Sequence, residues 1–209
     1  MTTENTNLAP GVDLTRPATG HYRWRVVDIV VAAVLGVACG LLMWAWNGPG
    51  YAWYEALNAV TPGLGGLTQG LWLLGGPLGG LLIRKPGASI VVILVAAICS
   101  SLAGNVWGVT TLLYGLAEGI GAEIAFLVFM YKYFNLPIGL LSGVLSGVGE
   151  WAFELFTGNM AKTVSYNLIY LVANMISGAI LAGLLAWALV KALAKTGVLS
   201  RFAAGRVSS

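Results

Sequence analysis

An almost unbroken apolar stretch from Val26 to Val190 constrains the fold of this chain more than any other feature. Hydrophobic residues make up 58% of the chain, Asp, Glu, Lys and Arg together only 9%, and the mean hydropathy is +0.83. Soluble proteins carry roughly 25% charged residues, so this composition excludes a soluble globular fold and a disordered chain. The net charge of +3 also excludes the dense basic face that nucleic-acid binding requires. The sequence therefore predicts an integral membrane protein.

Breaks rich in Gly, Pro, Asn and charged residues divide the apolar stretch into six segments. Each is close to the roughly 20 residues that a helix needs to cross a bilayer. Open strands cannot satisfy their backbone groups in lipid, so we expect an all-α bundle of six transmembrane helices. The predicted helices span residues 26–46, 64–83, 88–104, 109–131, 137–156 and 164–190. The membrane domain is expected to cover 23–195, between flexible cytoplasmic tails at 1–22 and 196–209.

The positions of the basic residues give an independent test of this count. With the amino terminus inside, ten of the eleven Lys and Arg residues fall on the cytoplasmic side, and Lys162 alone lies outside. Cytoplasmic loops carry the excess of positive charge in membrane proteins. Both termini are therefore predicted to be cytoplasmic. Cys39 and Cys99 lie in apolar segments, where small packing residues are expected rather than a disulfide framework.

Acidic residues within the predicted helices are the main candidates for function. Glu118, Glu123, Glu150 and Glu154 lie in the fourth and fifth segments, and no basic residue lies inside any segment. Ionisable groups at membrane depth are costly and usually face a cavity or a partner, although protonation or water could also accommodate them. In the predicted topology these glutamates lie mostly in the outer half. Polar and aromatic residues share that level: Gln69, Trp72, Asn105, Trp107, Tyr114, Trp151, Asn159, Tyr166, Asn167, Tyr170 and Asn174.

The chemistry of this cluster favours an organic cation or a flat nitrogen heterocycle. Carboxylates make charge-assisted hydrogen bonds to such ligands, and aromatic faces stack on them or make cation–π contacts. A single carboxyl group can hold an aminopyrimidine edge at two points. For individual aromatic residues, an interfacial belt or helix packing remains an alternative. No metal site is expected, because the single histidine, His21, lies in the tail.

The sequence has no phosphate-binding loop and no intramembrane catalytic constellation, so we expect neither ATP hydrolysis by this chain nor another enzymatic activity. A small-residue stripe in the first helix, Ala32, Gly36 and Gly40, can bring a second helix close. It predicts either internal packing or a docking face for another membrane subunit. A partner-independent secondary carrier of organic cations, and a membrane enzyme or assembly factor, remain alternatives.

Several motifs resemble the YkoE-type S components of energy-coupling factor (ECF) transporters. They are Arg25–Gly36, Gly70-Leu-Trp-Leu-Leu74, Ile83-Arg-Lys-Pro-Gly-Ala88, Gly104-Asn-Val-Trp-Gly108 and Gly115–Glu123, and the resemblance covers roughly residues 23–195. It implies a six-helix protein of the bacterial cell membrane that binds thiamine or its hydroxymethylpyrimidine precursor from outside. It also implies a transmembrane coupling subunit and two cytoplasmic ATPases as partners, and no cofactor. S components dock through an alanine-xxx-alanine motif on helix one, which here reads Ala32, Gly36, Gly40.

These expectations assign roles to individual residues. Glu118 is predicted to bind the aminopyrimidine edge, and Glu150 or Glu154 to compensate a thiazolium charge. The connection at 47–63 is predicted to be a lid that carries Tyr51, Trp53 and Tyr54. The rings of the ligand are expected to stack on Trp72, Trp107, Trp151, Tyr114 or Tyr170. The residues expected to orient them are Asn105, Asn167 or Asn174, and Tyr166 is a further candidate for ligand contact.

Overall fold

A computed structural model describes residues 22–196, and within that range all regular secondary structure is helical. The α-helices are α1 (Val26–Val60), α2 (Gly75–Ile83), α3 (Ala88–Leu102), α4 (Thr110–Val128), α5 (Leu136–Glu154), α6 (Val164–Ser177) and α7 (Leu185–Lys195). A 3-10 helix, Leu64–Leu71, precedes α2. Short π-helical segments at Leu155–Asn159 and Gly178–Leu184 continue α5 and join α6 to α7.

Four helical runs in the described part of the chain are long and apolar enough to cross a membrane: Val26–Val60, Thr110–Val128, Leu136–Asn159 and Val164–Lys195. The 3-10 helix and α2 meet at 40° and form a fifth if they are taken as one bent span. α3 has 15 residues and is shorter than a usual span. Helices thus occupy all six predicted segments. Six crossings with cytoplasmic ends remain a prediction, and residues 1–21 and 197–209 lie outside the described range.

Helix α1 continues well beyond its predicted end at residue 46 and reaches Val60, for a length of 35 residues. The break predicted at Asn47-Gly-Pro-Gly50 is therefore wrong, because Pro49 lies inside the helix. A proline removes one backbone hydrogen bond, but membrane helices tolerate it where neighbouring groups satisfy the freed carbonyl. The predicted lid residues therefore stand on a helix and not on a loop: Tyr51, Trp53 and Tyr54.

The small residues of α1 face the interior of the bundle. Ala32 is 1% exposed, and Gly36 and Gly40 are also buried. A Cβ atom at Gly36 would lie 2.5 Å from Cβ of Val95, and one at Gly40 would lie 2.6 Å from the carbonyl oxygen of Ala96. The two glycines therefore allow close packing of α1 against α3. This is the packing alternative that the sequence left open, and no docking surface is assigned to the stripe.

Helix α5 lies between α4 and α6 and contacts both at backbone distance. Towards the start of the π-helical segment that follows α6, a Cβ atom at Gly143 would overlap the carbonyl oxygen of Gly178. Towards α4, the Ser142 hydroxyl donates to the carbonyl oxygen of Ala122 at 3.0 Å, and the Ser146 hydroxyl donates to that of Glu118 at 3.0 Å. Small residues and interhelical hydrogen bonds of this kind drive helix association in lipid. They fix the relative positions of the helices that carry the acidic residues.

Candidate functional site

A cavity of about 350 Å³ lies where α1, the 3-10 helix, the α3–α4 connection, α4 and α5 meet. Its size is at the lower end of the ~300–1,000 Å³ typical of small-molecule sites. The cavity combines carboxyl groups, aromatic rings and neutral hydrogen-bonding side chains. Its walls are Met43, Asn47, Tyr51, Tyr54, Glu55, Gln69, Trp72, Ser100, Asn105, Trp107, Thr111, Tyr114, Glu118, Glu150, Glu154 and Lys162.

Three of the predicted glutamates line this cavity together. Glu118 on α4 and Glu150 on α5 are 3% and 4% exposed, and Glu154 follows one helical turn after Glu150. Oε2 of Glu150 accepts a hydrogen bond of 2.8 Å from Nδ2 of Asn174. Oε2 of Glu154 accepts one of 3.1 Å from Nδ2 of Asn159. The sequence analysis placed these three carboxyl groups at one level of the bundle, and in the structure all three line the same cavity.

Glu118 differs from its two neighbours because one of its oxygens is both shielded from solvent and without a hydrogen-bond partner. Oε2 of Glu118 is shielded from solvent and accepts no hydrogen bond from the described residues. A buried acceptor without a partner costs roughly 1–3 kcal/mol, so such groups in native proteins call for a ligand, an ion or a water molecule. Glu118 is therefore placed to gain a hydrogen bond from a bound molecule, and Nδ2 of Asn47, in the same wall, likewise has no partner.

Aromatic rings also line the cavity and contact one another. Trp72 and Trp107 meet edge to face with centroids 6.1 Å apart, and Tyr51 contacts Trp107 in the same way at 6.2 Å. The rings of Tyr51 and Tyr54 stack at 6.1 Å. Nε1 of Trp72 donates to Oδ1 of Asn47 at 2.9 Å, which fixes the orientation of both side chains. Trp72 and Trp107 thus line the cavity, and their stacking on a ligand stays a prediction.

Asn105 lines the cavity but uses its amide to build the α3–α4 connection. Its Oδ1 accepts from the backbone N–H groups of Trp107 at 3.1 Å and Gly108 at 2.7 Å. Its Nδ2 donates to Oγ1 of Thr111 at 2.9 Å and to Oγ of Ser100 at 3.3 Å. The side chain predicted to orient a ligand thus holds the turn that places Trp107 against the cavity.

Other predicted residues lie behind the cavity wall. Tyr170 is fully buried, and its hydroxyl accepts a hydrogen bond of 2.9 Å from Nε2 of Gln69. Nε1 of Trp151 donates to the backbone oxygen of Asn167 at 3.1 Å. The hydroxyl groups of Tyr166 and Tyr54 are 3.1 Å apart. Direct ligand contact by the residues behind the wall stays a prediction: Trp151, Tyr166, Asn167, Tyr170 and Asn174.

Of the three residues predicted to form the lid, two line the cavity and one does not. Tyr51 and Tyr54 line the cavity from the C-terminal half of α1, whereas the side chain of Trp53 is 60% exposed and is not part of the wall. The sequence analysis did not assign Met43, Asn47, Ser100, Thr111 or Lys162 to the site. Nζ of Lys162 donates to Oη of Tyr166 at 2.9 Å and lies 4.1 Å from the centre of its ring. The wall of the cavity contains four glutamates and one lysine: Glu55, Glu118, Glu150, Glu154 and Lys162.

Comparison with known proteins identifies the family. Residues 27–149 match the protein family described as the ABC-type cobalt transport system, permease component. Over 189 residues the chain is 34% identical to YkoE of Bacillus subtilis (strain 168), which is named as an HMP/thiamine permease protein, with coverage of 88% of this chain and 91% of the relative. A crystal structure of an S-component of an ECF transporter superposes with a TM-score of 0.81 at 34% identity, covering 88% of this chain and 92% of that one.

The chain belongs to the YkoE-type S components of ECF transporters. The resemblance identified from the sequence motifs is thereby confirmed. Its relatives are membrane transport components and not enzymes, in agreement with the sequence analysis. The described residues of this S component contain no group of three or more His, Cys, Asp and Glu side chains that could hold a metal ion.

Glu123 has a different place in the S component from the other membrane glutamates. Its Oε1 accepts from the N–H of Gly87 at 2.6 Å and from the hydroxyl of Tyr131 at 2.6 Å, and its Oε2 accepts from the N–H of Ser89 at 2.9 Å. It thus caps the N-terminus of α3, where a carboxylate is favoured by free N–H groups and the helix dipole. Burial and the hydrogen bond to Glu123 raise the pKa of Tyr131. Glu123 is a structural cap and not a member of the cavity.

Proposed function

We propose that this chain is the substrate-binding subunit of an ECF importer and captures thiamine or hydroxymethylpyrimidine from outside a bacterial cell. In this proposal it spans the cell membrane six times with both termini in the cytoplasm. A transmembrane coupling subunit and two cytoplasmic ATPases complete the transporter. The family membership supports this assembly, and the name of the Bacillus subtilis relative supports the two candidate substrates.

The unpartnered carboxyl oxygen of Glu118 is the observation that carries the substrate proposal. Glu118 lines a cavity that also presents the rings of Trp72 and Trp107. An aminopyrimidine offers an amino donor to such an oxygen and a flat ring to the aromatic walls. Glu150 and Glu154 add carboxyl groups to the same cavity, which favours a cationic thiazolium ring. Both candidate ligands share the aminopyrimidine ring, and thiamine alone carries the cation.

Isothermal titration of the purified wild-type protein with thiamine and with hydroxymethylpyrimidine tests the proposal. Glu118→Gln keeps the shape of the side chain but removes the charged acceptor, so we expect at least a tenfold loss of affinity for both ligands, since a hydrogen bond to a charged group contributes about 1.5–3 kcal/mol. Glu123→Gln is the matched control, because it changes the same residue type on the same helix outside the cavity. It should retain wild-type affinity.

Two results would contradict the proposal. Wild-type protein that binds neither compound would remove the substrate assignment altogether. Equal affinities for wild-type protein and Glu118→Gln, with binding intact, would show that the ligand does not use the Glu118 carboxylate.

A further inference from the structure

Glu150 lies close to both of the other carboxyl groups that α4 and α5 contribute to the cavity. Glu154 follows it by one turn of α5, which places their Cβ atoms roughly 5–6 Å apart. Glu118 approaches from α4, which packs against α5 at this level. A Cβ atom at Gly149 would lie 3.6 Å from the backbone nitrogen of Glu118, and the hydroxyl of Ser146 donates to its carbonyl oxygen at 3.0 Å. The carboxyl group of Glu150 therefore meets like charge from two helices.

Donors and positive charge support Glu150 less than they support Glu154. Glu154 accepts from Nδ2 of Asn159 at 3.1 Å, and the charge of Lys162 acts on it. Glu150 is only 4% exposed, and it accepts from Nδ2 of Asn174 at 2.8 Å. Lys162 is the single basic residue in the described wall of the cavity, and its side chain is exposed. Where buried carboxyl groups share a site in this way, one of them retains a proton.

The other titratable groups around the cavity bring no further positive charge to Glu150. By element, the titratable groups around Glu150 are Glu118 and Tyr114 on α4, Glu154 on α5, Tyr51, Tyr54 and Glu55 on α1, Tyr170 on α6, and Lys162 in the connection before α6. The 3-10 helix and α3 add only neutral side chains to the described wall. The tyrosines are neutral at neutral pH, because a phenol ionises only near pH ~10. The positive charge that would balance three carboxylates must therefore come from protons or from a ligand.

We propose that the cavity exchanges a proton for the charge of a cationic ligand. In the empty cavity, Glu150 carries a proton. When a thiazolium ring enters, the O–H bond of the Glu150 carboxyl group breaks, the proton leaves to the solvent, and the carboxylate that remains balances the cation. A neutral aminopyrimidine leaves this proton in place. The inference rests on the proposed function and adds that capture of the cationic ligand, and not of the neutral one, is linked to pH.

Isothermal titration of the wild-type protein in phosphate and in Tris at the same neutral pH counts the protons released, because the two buffers differ in heat of ionisation. We expect about one proton more to be released per thiamine bound than per hydroxymethylpyrimidine bound. Both ligands contain the aminopyrimidine ring, so the difference cancels any proton that this ring exchanges. The ratio of the affinity for thiamine to that for hydroxymethylpyrimidine should rise with pH, by up to about tenfold per pH unit.

Glu150→Gln tests the residue assignment, because glutamine keeps the shape of the neutral carboxyl group and has no proton to release. In this variant the excess proton release with thiamine should fall to about zero, and the ratio of the two affinities should no longer depend on pH. Saturable binding of hydroxymethylpyrimidine reports that the variant is folded. Glu123→Gln is the matched control, because it makes the same change outside the cavity, and it should release as many protons as the wild type.

Equal proton release for the two ligands in the wild-type protein would overturn the inference, and this comparison needs no variant. Excess release that persists in Glu150→Gln and is lost in Glu154→Gln would overturn the assignment of the proton to Glu150. Failure of the wild-type protein to bind either compound is a different result and contradicts the proposed function itself.

Discussion

Substitution of Gly147 by alanine tests how helix packing supports the acidic side of the cavity. Gly147 lies on the face of α5 that contacts α6. A Cβ atom there would lie 2.8 Å from the carbonyl oxygen of Asn174 and 3.1 Å from its Oδ1. Asn174 in turn donates to Glu150 at 2.8 Å. One added methyl group therefore presses on the residue that holds a cavity carboxylate.

The expected magnitude follows from these distances. Real Cβ atoms essentially never approach another heavy atom closer than 3.0 Å, and the atom in the way belongs to the backbone and cannot rotate aside. α5 and α6 must therefore separate. Overpacking of this kind costs typically 1–3 kcal/mol, and we take about 2 kcal/mol for Gly147→Ala. For a chain of this size that corresponds to a fall in Tm of about 4–8 °C.

Thermal unfolding of the detergent-solubilised protein, followed by circular dichroism, measures this change. Titration with thiamine should also show weaker binding, because displacement of Asn174 disturbs its hydrogen bond to Glu150. Gly158→Ala is the control: Gly158 is exposed and a Cβ atom there would meet no other atom within 4 Å, so its Tm should stay close to that of the wild type. A Tm for Gly147→Ala equal to or above that of the wild type would refute the close approach of α5 and α6 at this point.

Two further predictions concern the site and its surroundings. Trp72→Phe keeps an aromatic ring but removes the 2.9 Å hydrogen bond to Asn47. Titration should show about a fivefold loss of affinity for thiamine, equivalent to ~1 kcal/mol, with little change in Tm. Unchanged binding would show that the orientation of Asn47 is irrelevant to the ligand. In thermal unfolding without ligand, Glu123→Gln should lower Tm by about 4–12 °C, because a carboxylate that accepts three hydrogen bonds contributes roughly 2–3 kcal/mol. Glu118→Gln should not lower Tm, because Oε2 of Glu118 has no hydrogen-bond partner to lose. A lower Tm for Glu118→Gln than for Glu123→Gln would contradict the roles assigned to the two residues.

The positions of the helices were largely predictable because apolar length and turn residues reflect the bilayer directly. The main error lies at Asn47-Gly-Pro-Gly50, where α1 continues to Val60. In water this run would be expected to end a helix, but in a membrane protein the environment can supply partners for the carbonyl that Pro49 leaves free. Local sequence does not contain that information. The bend between the 3-10 helix and α2 was missed for the same reason.

The site was most readily predictable where charge identified it. Carboxyl groups are rare in membrane helices, so Glu118, Glu150 and Glu154 stood out, and all three line the cavity. Glu123 could have been separated from Glu118 by helical geometry, since five positions at about 100° each place the two on different faces of α4. Trp72, Asn105, Trp107 and Tyr114 were also predicted and line the cavity, but other neutral wall residues such as Asn47 gave no such signal. Their contribution depends on which helices meet, and the sequence alone does not specify that.

The attachment of α5 to its neighbours has a consequence for changing the selectivity of this protein. Its contacts with α4 and α6 join backbone to backbone through glycine and serine, so a substitution there affects folding before it affects binding. The tryptophan and tyrosine side of the cavity is held by ring contacts and single hydrogen bonds, which repacking can replace. Mutant libraries intended to recognise other heterocycles should therefore vary Tyr51, Tyr54, Trp72 and Trp107 and leave the glycines of α5 unchanged.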